Sequence, residues 1–209
     1  MSVRVDHTVT SGTFSLDGQS FDVDNNVWVL GDDDECVVID APHDVDAIVR
    51  AVGGRRVRAI LASHAHDDHV RVAPELAGAT GAPVLLHPAD RVLWDVVHPD
   101  RAPDGDLADG QVVEVAGTTL RVLHTPGHSP GACSFHAPDL GAVFTGDTLF
   151  AGGPGATGRS YSDFGTIVES IRTRLLTLPP QTVVHTGHGD STTIGAEAPH
   201  LDEWIARGH

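Results

Sequence analysis

Four short apolar runs in this chain end on the same kind of residue. Val57 to Leu61 leads into Ser63-His64-Ala65-His66-Asp67-Asp68-His69. Leu120 to Leu123 is followed by Thr125-Pro126-Gly127-His128, Ala142 to Phe144 by Thr145-Gly146-Asp147, and Val183-Val184 by Thr186-Gly187-His188-Gly189. Short apolar runs bounded by turn residues read as buried strands. Each strand therefore delivers a His or an Asp at its carboxyl end. In three of the four a glycine stands next to that residue, which allows a sharp turn and leaves room for a metal and a substrate.

The remaining pattern is mixed strand and helix. Val27 to Leu30 and Cys36 to Ile39 read as a hairpin, with the acidic run 31–35 as its solvated tip. The twelve-residue calcium-loop pattern is absent from that tip. Helical spacing over 45–52 stops at Gly53-Gly54. Further helices are expected over 72–79, 90–97, 164–178 and 200–207, the longest with Ser162 or Asp163 as its N-cap. Strands are expected at 84–86, 112–115, 120–123, 132–135, 142–144 and 182–184. A length of 209 residues suits one domain with a substantial core. The expected fold is a single α/β domain over 1–209, a four-layer αβ/βα sandwich with two packed sheets and helices on their outer faces.

Fourteen histidines make clustering the central question. In His64-x-His66-x-Asp68-His69, backbone alternation can bring His64 and His66 to one side, and a tight turn can aim Asp68 and His69 at a neighbouring position. Imidazole nitrogen and carboxylate oxygen suit zinc well, and iron or manganese also. His7, His43, His98, His136, His200 and His209 lie outside the motifs and read as solvated or structural. His87 is not expected to be a ligand. His124 and His185 stand near ligands in sequence, with packing as the main expectation and an orienting role as the other. Cys36 and Cys133 cannot make a disulfide framework and read as small packed residues. Trp94 reads as packing.

The ordered set His64, His66, Asp68, His69, His128, Asp147 and His188 resembles the signature of the metallo-β-lactamase-fold hydrolases over nearly the whole chain. That resemblance implies His64, His66 and His128 around a first metal, Asp68, His69 and His188 around a second, and Asp147 bridging them. Asp40, which ends the strand Val37 to Ile39, matches an early Asp that orients the metal loop without binding metal. The implied cofactors are two divalent ions, zinc first. In such sites the ions lie about 3.5 Å apart, lower the pKa of a shared water and polarise the substrate carbonyl. Asp68 would also steer the hydroxide or shuttle a proton. No Gly-x-Ser-x-Gly elbow calls for a serine nucleophile.

Within the family, Phe144 to Phe150, Gly158-Arg159 and Thr186 to Gly189 resemble glyoxalase II-type thioester hydrolases. The bridging Asp147 argues against the true β-lactamases. Gly189-Asp190 stands where the sulfur dioxygenases carry Asp-Tyr. Full-length glyoxalase II adds a helical domain whose basic residues hold glutathione, whereas this chain ends soon after His188 and has no Lys. The segment 152–164 with 187–195 is similar to short members from mycothiol-using bacteria, which implies an S-acyl thioester of such a thiol as substrate. The Gly-rich loop 152–158 is either a flexible surface loop or a substrate-side rim. In the second case Arg159 would hold an anionic or polar group, and Tyr161 would line the pocket. A lactonase or ester hydrolase, an iron-dependent sulfur dioxygenase and a vestigial metal-binding module are the alternatives.

The partner implied is a small-molecule substrate. A formal charge of −16, with all thirteen basic residues Arg, opposes nucleic-acid binding and excludes a catalytic Lys. No run approaches the ~18 apolar residues of a membrane span. Residues 1–13 lack a secretory pattern, so the cytoplasm is the expected location. Oligomeric state is left open.

Overall fold

The computed structural model describes residues 2–208, so the expectation for His209 lies outside it. The expected hairpin is present, and a longer one precedes it. Strand β1 (Arg4–Leu16) pairs antiparallel with β2 (Gln19–Gly31) through the turn Asp17-Gly18. Both turn residues are left-handed, with φ of 52° and 74°. Two-residue hairpin loops demand that conformation, and Asp-Gly supplies it at low cost. Strand β2 pairs with β3 (Glu35–Ile39), and β4 (Arg56–Leu61), β5 (Val84–Leu86) and β6 (Gly105–Asp106) follow in parallel. These six form one sheet in chain order.

The second sheet begins with β7 (Val112–Val115), β8 (Thr118–His124), β9 (Cys133–Ala137) and β10 (Ala142–Gly146). A small pair, β11 (Leu149–Phe150) and β12 (Gly153–Pro154), interrupts it. The chain then returns as β13 (Val183–Thr186), parallel to β10, with β14 (Thr192–Thr193) at the edge.

Strand alternation sorts the core into layers. Trp28 and Leu30 of β2, with Val37 and Ile39 of β3, face the second sheet and meet Val122, Phe135 and Phe144. Val27, Val29, Cys36 and Val38 face outward. They pack on Ile48 of α1 (Val45–Val52) and, beyond the short α2 (Asp67–Val70), on Leu76 of α3 (Ala73–Thr80) and Trp94 of α4 (Arg91–Val97). On the far side, Val143 and Val184 pack on Ile167 of α5 (Phe164–Ser170) and, past α6 (Ile194–Glu197), on Trp204 of α7 (Leu201–Arg207). Helices, sheet, sheet and helices make the four-layer sandwich of the expectation. A one-residue slip of β2 or β3 would exchange the inner and outer sets, so burial on both faces fixes the register.

Most expected elements lie within one or two residues of their observed bounds. Asp163 is the N-cap of α5, its carboxylate accepting from Thr166 N. The long helix is shorter than expected. After Ser170 it widens into a π-helical turn over Ile171–Leu175, closed by Leu176 N donating to Ile171 O. Pro179-Pro180 then bars Leu178 from helical conformation. The helix expected from Asp90 starts at Arg91, because Asp90 belongs to a 3-10 turn, Pro88–Asp90, and turns its side chain inward. Cys36 and Cys133 are free and buried, and burial pushes both thiols up. No helix among the described residues is long and apolar enough to cross a membrane.

Candidate metal centre

The site is built on the loop after β4. The turn expected after His66 is one helical turn, α2, which carries Asp68 and His69 inward and buries both. Two buried aspartates brace this loop from either side. Asp40, at the end of β3, holds a left-handed φ of 64°. Its carboxylate accepts from Ser63 N (2.7 Å) and Ser63 Oγ (2.8 Å), and from His69 Nδ1 (2.8 Å). A residue held in that sparsely populated region marks a place where position matters more than local comfort. Asp90 accepts from Ala65 N (2.9 Å), Ser129 Oγ (2.7 Å) and Gly131 N (2.5 Å), which ties the loop to the turn bearing His128. Burial pushes the Asp90 carboxyl up, against those three hydrogen bonds.

All seven expected ligands converge. Ligand atoms of His64, His66 and His128 lie within 4.8 Å of one another, as do those of Asp68, His69 and His188, and those of His64, His69 and Asp147. Asp147 spans the two halves. Its Oδ1 is 3.3 Å from His69 Nε2, and its Oδ2 is 3.6 Å from His128 Nε2 and 3.4 Å from His188 Nε2. Gly187 makes room for this approach, since a Cβ there would collide with Asp147 Oδ1 and stand 2.9 Å from His69 Cε1.

The outer ring nitrogens show what the inner ones are for. His128 Nδ1 donates to Ala156 O (2.8 Å), and His188 Nδ1 donates to Asp24 O (2.7 Å). His69 Nδ1 donates to Asp40, and His64 Nδ1 to Ser63 Oγ (3.1 Å), whose own proton goes to Asp40. Four imidazoles thus turn Nε2 lone pairs toward one centre, the arrangement by which outer partners orient metal ligands. His66 points its Nδ1 inward, 3.0 Å from both His64 Nε2 and His128 Nε2. Its buried Nε2 and the buried Asp147 Oδ1 have no hydrogen-bond partner. Lone pairs facing lone pairs, beside two carboxylates, are a donor set for cations.

Electrostatics divide the site in the same way. Burial, then the neighbouring imidazoles, hold His64 well below its ordinary value, and burial and His128 take His66 down to about 3. Burial would lower His69 and His188 too, but carboxylates outweigh it. Asp147, Asp68 and Asp40 hold His69 well above its ordinary value, and Asp147 and Asp68 raise His188 to about 10. The half holding Asp68 attracts positive charge, while His64 and His66 offer neutral nitrogen.

Sequence reasoning missed Asn25 and Asp90. Asn25 Nδ2 donates to Asp68 Oδ2 (3.0 Å), and His43 Nε2 donates to Asn25 Oδ1 (2.8 Å). The half-buried His43 is therefore structural, within the expectation for it. The main expectation for His124 and His185 fits as well. His124 donates to Pro130 O (2.9 Å) and stacks on His87, and His185 packs against Trp28 and Phe144.

A cavity of about 290 Å³ opens over the cluster, lined by Phe14, Phe21, Phe150 and Arg159 besides Asp68 and Asp147. The Arg159 guanidinium lies 5.2 Å from the Phe14 ring centroid and 4.8 Å from that of Phe21. Tyr161 does not line this cavity. It borders an adjoining one, and its backbone is left-handed (φ 69°).

The four-layer sandwich thus presents a His/Asp cluster able to hold metal at its strand ends. The sequence model of the Metallo-beta-lactamase superfamily matches residues 21–188, and the chain belongs to that superfamily. It is 31% identical to the hydroxyacylglutathione hydrolase GloC of Haemophilus influenzae, over 82% of this chain and 89% of that protein. Among solved structures it is similar to the BLEG-1 B3 metallo-beta-lactamase (TM-score 0.78, 29% identity, 92% of this chain and 98% of that one). It is also similar to TTHA1623 in a di-iron-bound form (TM-score 0.75, 33% identity, 90% of this chain and 96% of that one).

Proposed function

We propose that the protein hydrolyses an S-acyl thioester of a low-molecular-weight thiol at a dinuclear metal centre. The observation that carries the metal assignment is Asp147, whose two oxygens face His69 on one side and His128 and His188 on the other. The relation to a hydroxyacylglutathione hydrolase supports the thioester class.

His64, His66 and His128 would hold one ion, Asp68, His69 and His188 the other, and Asp147 both, with zinc the first expectation. Two ions so held, when bound, supply Lewis acidity and lower the pKa of water toward neutrality. The chain's own groups do the rest. Asp40 fixes the tautomer and the ring plane of His69. Asn25 holds one oxygen of Asp68 and leaves the other to steer or pass a proton. Phe14, Phe21 and Phe150 line the pocket with apolar surface and keep bulk water from the reacting carbonyl. Arg159, spread over two aromatic rings, presents its guanidinium to an anionic or polar group of the thiol carrier. A small thiol such as mycothiol fits the sequence resemblance of the Gly-rich loop.

The test is thiol release from S-lactoylglutathione, S-acyl mycothiols and a simple aryl thioester, with Asp147→Ala as control. Fast turnover of one of them, abolished in the control, is the expected result. The likeness to a protein in a di-iron-bound form keeps iron open as the metal, and with iron the second reading is sulfur dioxygenation. Oxygen uptake with a persulfide, and no thioester turnover, would establish that reading instead, and lactone turnover alone would make the protein a lactonase.

A further inference from the structure

A second cavity, of about 410 Å³, adjoins the metal-side pocket and shares His66 with it. The Phe14 ring stands against His66 at the junction, 5.2 Å between centroids. The walls of the second cavity are Leu16, Ala65, Leu93, Val96, Val97 and Tyr161. Its two charged members neutralise each other. Arg71 pairs with Asp67 and donates to Thr13 O (2.7 Å), and the other oxygen of Asp67 accepts from Ser15 N (3.0 Å). The groove thus offers no unpaired charge, and what lies in it is apolar. The metal-side pocket differs in carrying two carboxylates, three imidazoles and a guanidinium beside its phenylalanines.

Two of the groove's residues stand at the surface against their chemistry. Val96 is 75% exposed and Tyr161 is 53% exposed. Tyr161 is also one of four residues other than glycine with a left-handed backbone among the described residues. The preceding residue anchors it, Ser160 donating from N (3.1 Å) and Oγ (2.8 Å) to Asp17 in the turn between β1 and β2. A strained, anchored aromatic beside an exposed valine builds an apolar wall next to a reaction centre.

We propose that this groove is the acyl subsite, so that the substrate is a thioester of an unbranched, apolar acyl chain. The chain lies along Leu93, Val96 and Val97 beneath Tyr161, the carbonyl sits at the His66 junction, and the polar thiol carrier extends under Arg159. Hydrolysis adds water across the carbon–sulfur bond, so the acid keeps the carbonyl and the thiol leaves with the proton. The assignment rests on the thioester reading above, and its test separates the two.

Binding of acetate and octanoate is measured by calorimetry, and turnover of acetyl and octanoyl thioesters of one thiol by thiol release. The proteins are the metal-loaded wild type, Val96→Glu, and Val49→Glu as a control on the exposed face of α1. Octanoate and the octanoyl thioester should be favoured at least about tenfold in the wild type and in Val49→Glu, since each buried methylene is worth a few-fold. Val96→Glu should erase that preference, and Val49→Glu should keep it. No chain-length preference in the wild type, or one that survives in Val96→Glu, overturns the proposal. An octanoate preference lost in Val96→Glu, with no thioester hydrolysed, would overturn the thioester reading and keep the groove as an apolar-chain site.

Discussion

The Nδ1–H of His69 donates to Asp40 Oδ2 across 2.8 Å, and the same oxygen accepts the Ser63 hydroxyl. One side chain at the end of β3 thus sets the tautomer of a candidate ligand and the path of the loop that carries three others. Asp40→Ala removes both effects and leaves the His69 and Ser63 donors unpaired. Metal affinity should fall by about 10–100-fold, as for other outer partners of metal ligands. Competition with a chromogenic chelator measures it. Unchanged affinity would remove Asp40 from the account.

Gly187 should tolerate no side chain. In Gly187→Ala the methyl collides with Asp147 Oδ1, and displacing a reacting group by about 1 Å can cost ~100-fold in rate. Thioester turnover should fall by at least that much while the far-ultraviolet circular dichroism stays native. Full activity in this variant would mean that Asp147 is free to move away.

Asp90 is a brace within the fold. Asp90→Ala leaves the N–H groups of Ala65 and Gly131 and the Ser129 hydroxyl buried without their acceptor. At about 1–3 kcal/mol for each orphaned group, the loss should be about 3 kcal/mol or more. Urea denaturation with the metals bound and removed reads it, and a loss under about 1 kcal/mol would contradict the assignment.

His185 gives stability a pH dependence away from the metal centre. Burial first, then His7, lowers it from 6.5 to about 4. Its folded value lies below its unfolded one, so its contribution is full above pH 6.5 and fades as pH falls toward 4. In that window the unfolded chain takes up a proton that the folded chain refuses. His185→Phe keeps an aromatic ring beside Trp28 and Phe144, and should lessen the fall of the melting temperature between these limits. An unchanged slope would place the titration elsewhere.

Much of this was legible in the sequence. The ligand motifs follow short strands directly, so local pattern and ligand order coincide, and α/β alternation carried the layers. Asn25 and Asp90 were not legible, because each acts on residues brought near only by folding. Asp90 sits where a helix start was expected, and nothing local shows its carboxylate turning toward Ala65 and Gly131. The β1–β2 hairpin is absent from the sequence reading although Asp17-Gly18 announces it, since β1 and the first half of β2 are barely buried and lack a strong apolar alternation. Tyr161 was expected to line a substrate pocket, and it borders the groove beside the metal-side cavity.

The two ions that seven side chains are proposed to hold can be counted by native mass spectrometry of the chelator-treated and reloaded protein. Two divalent ions per chain in the wild type, and at most one in Asp147→Ala, is the result the geometry predicts. One ion or none in the reloaded wild type would contradict it.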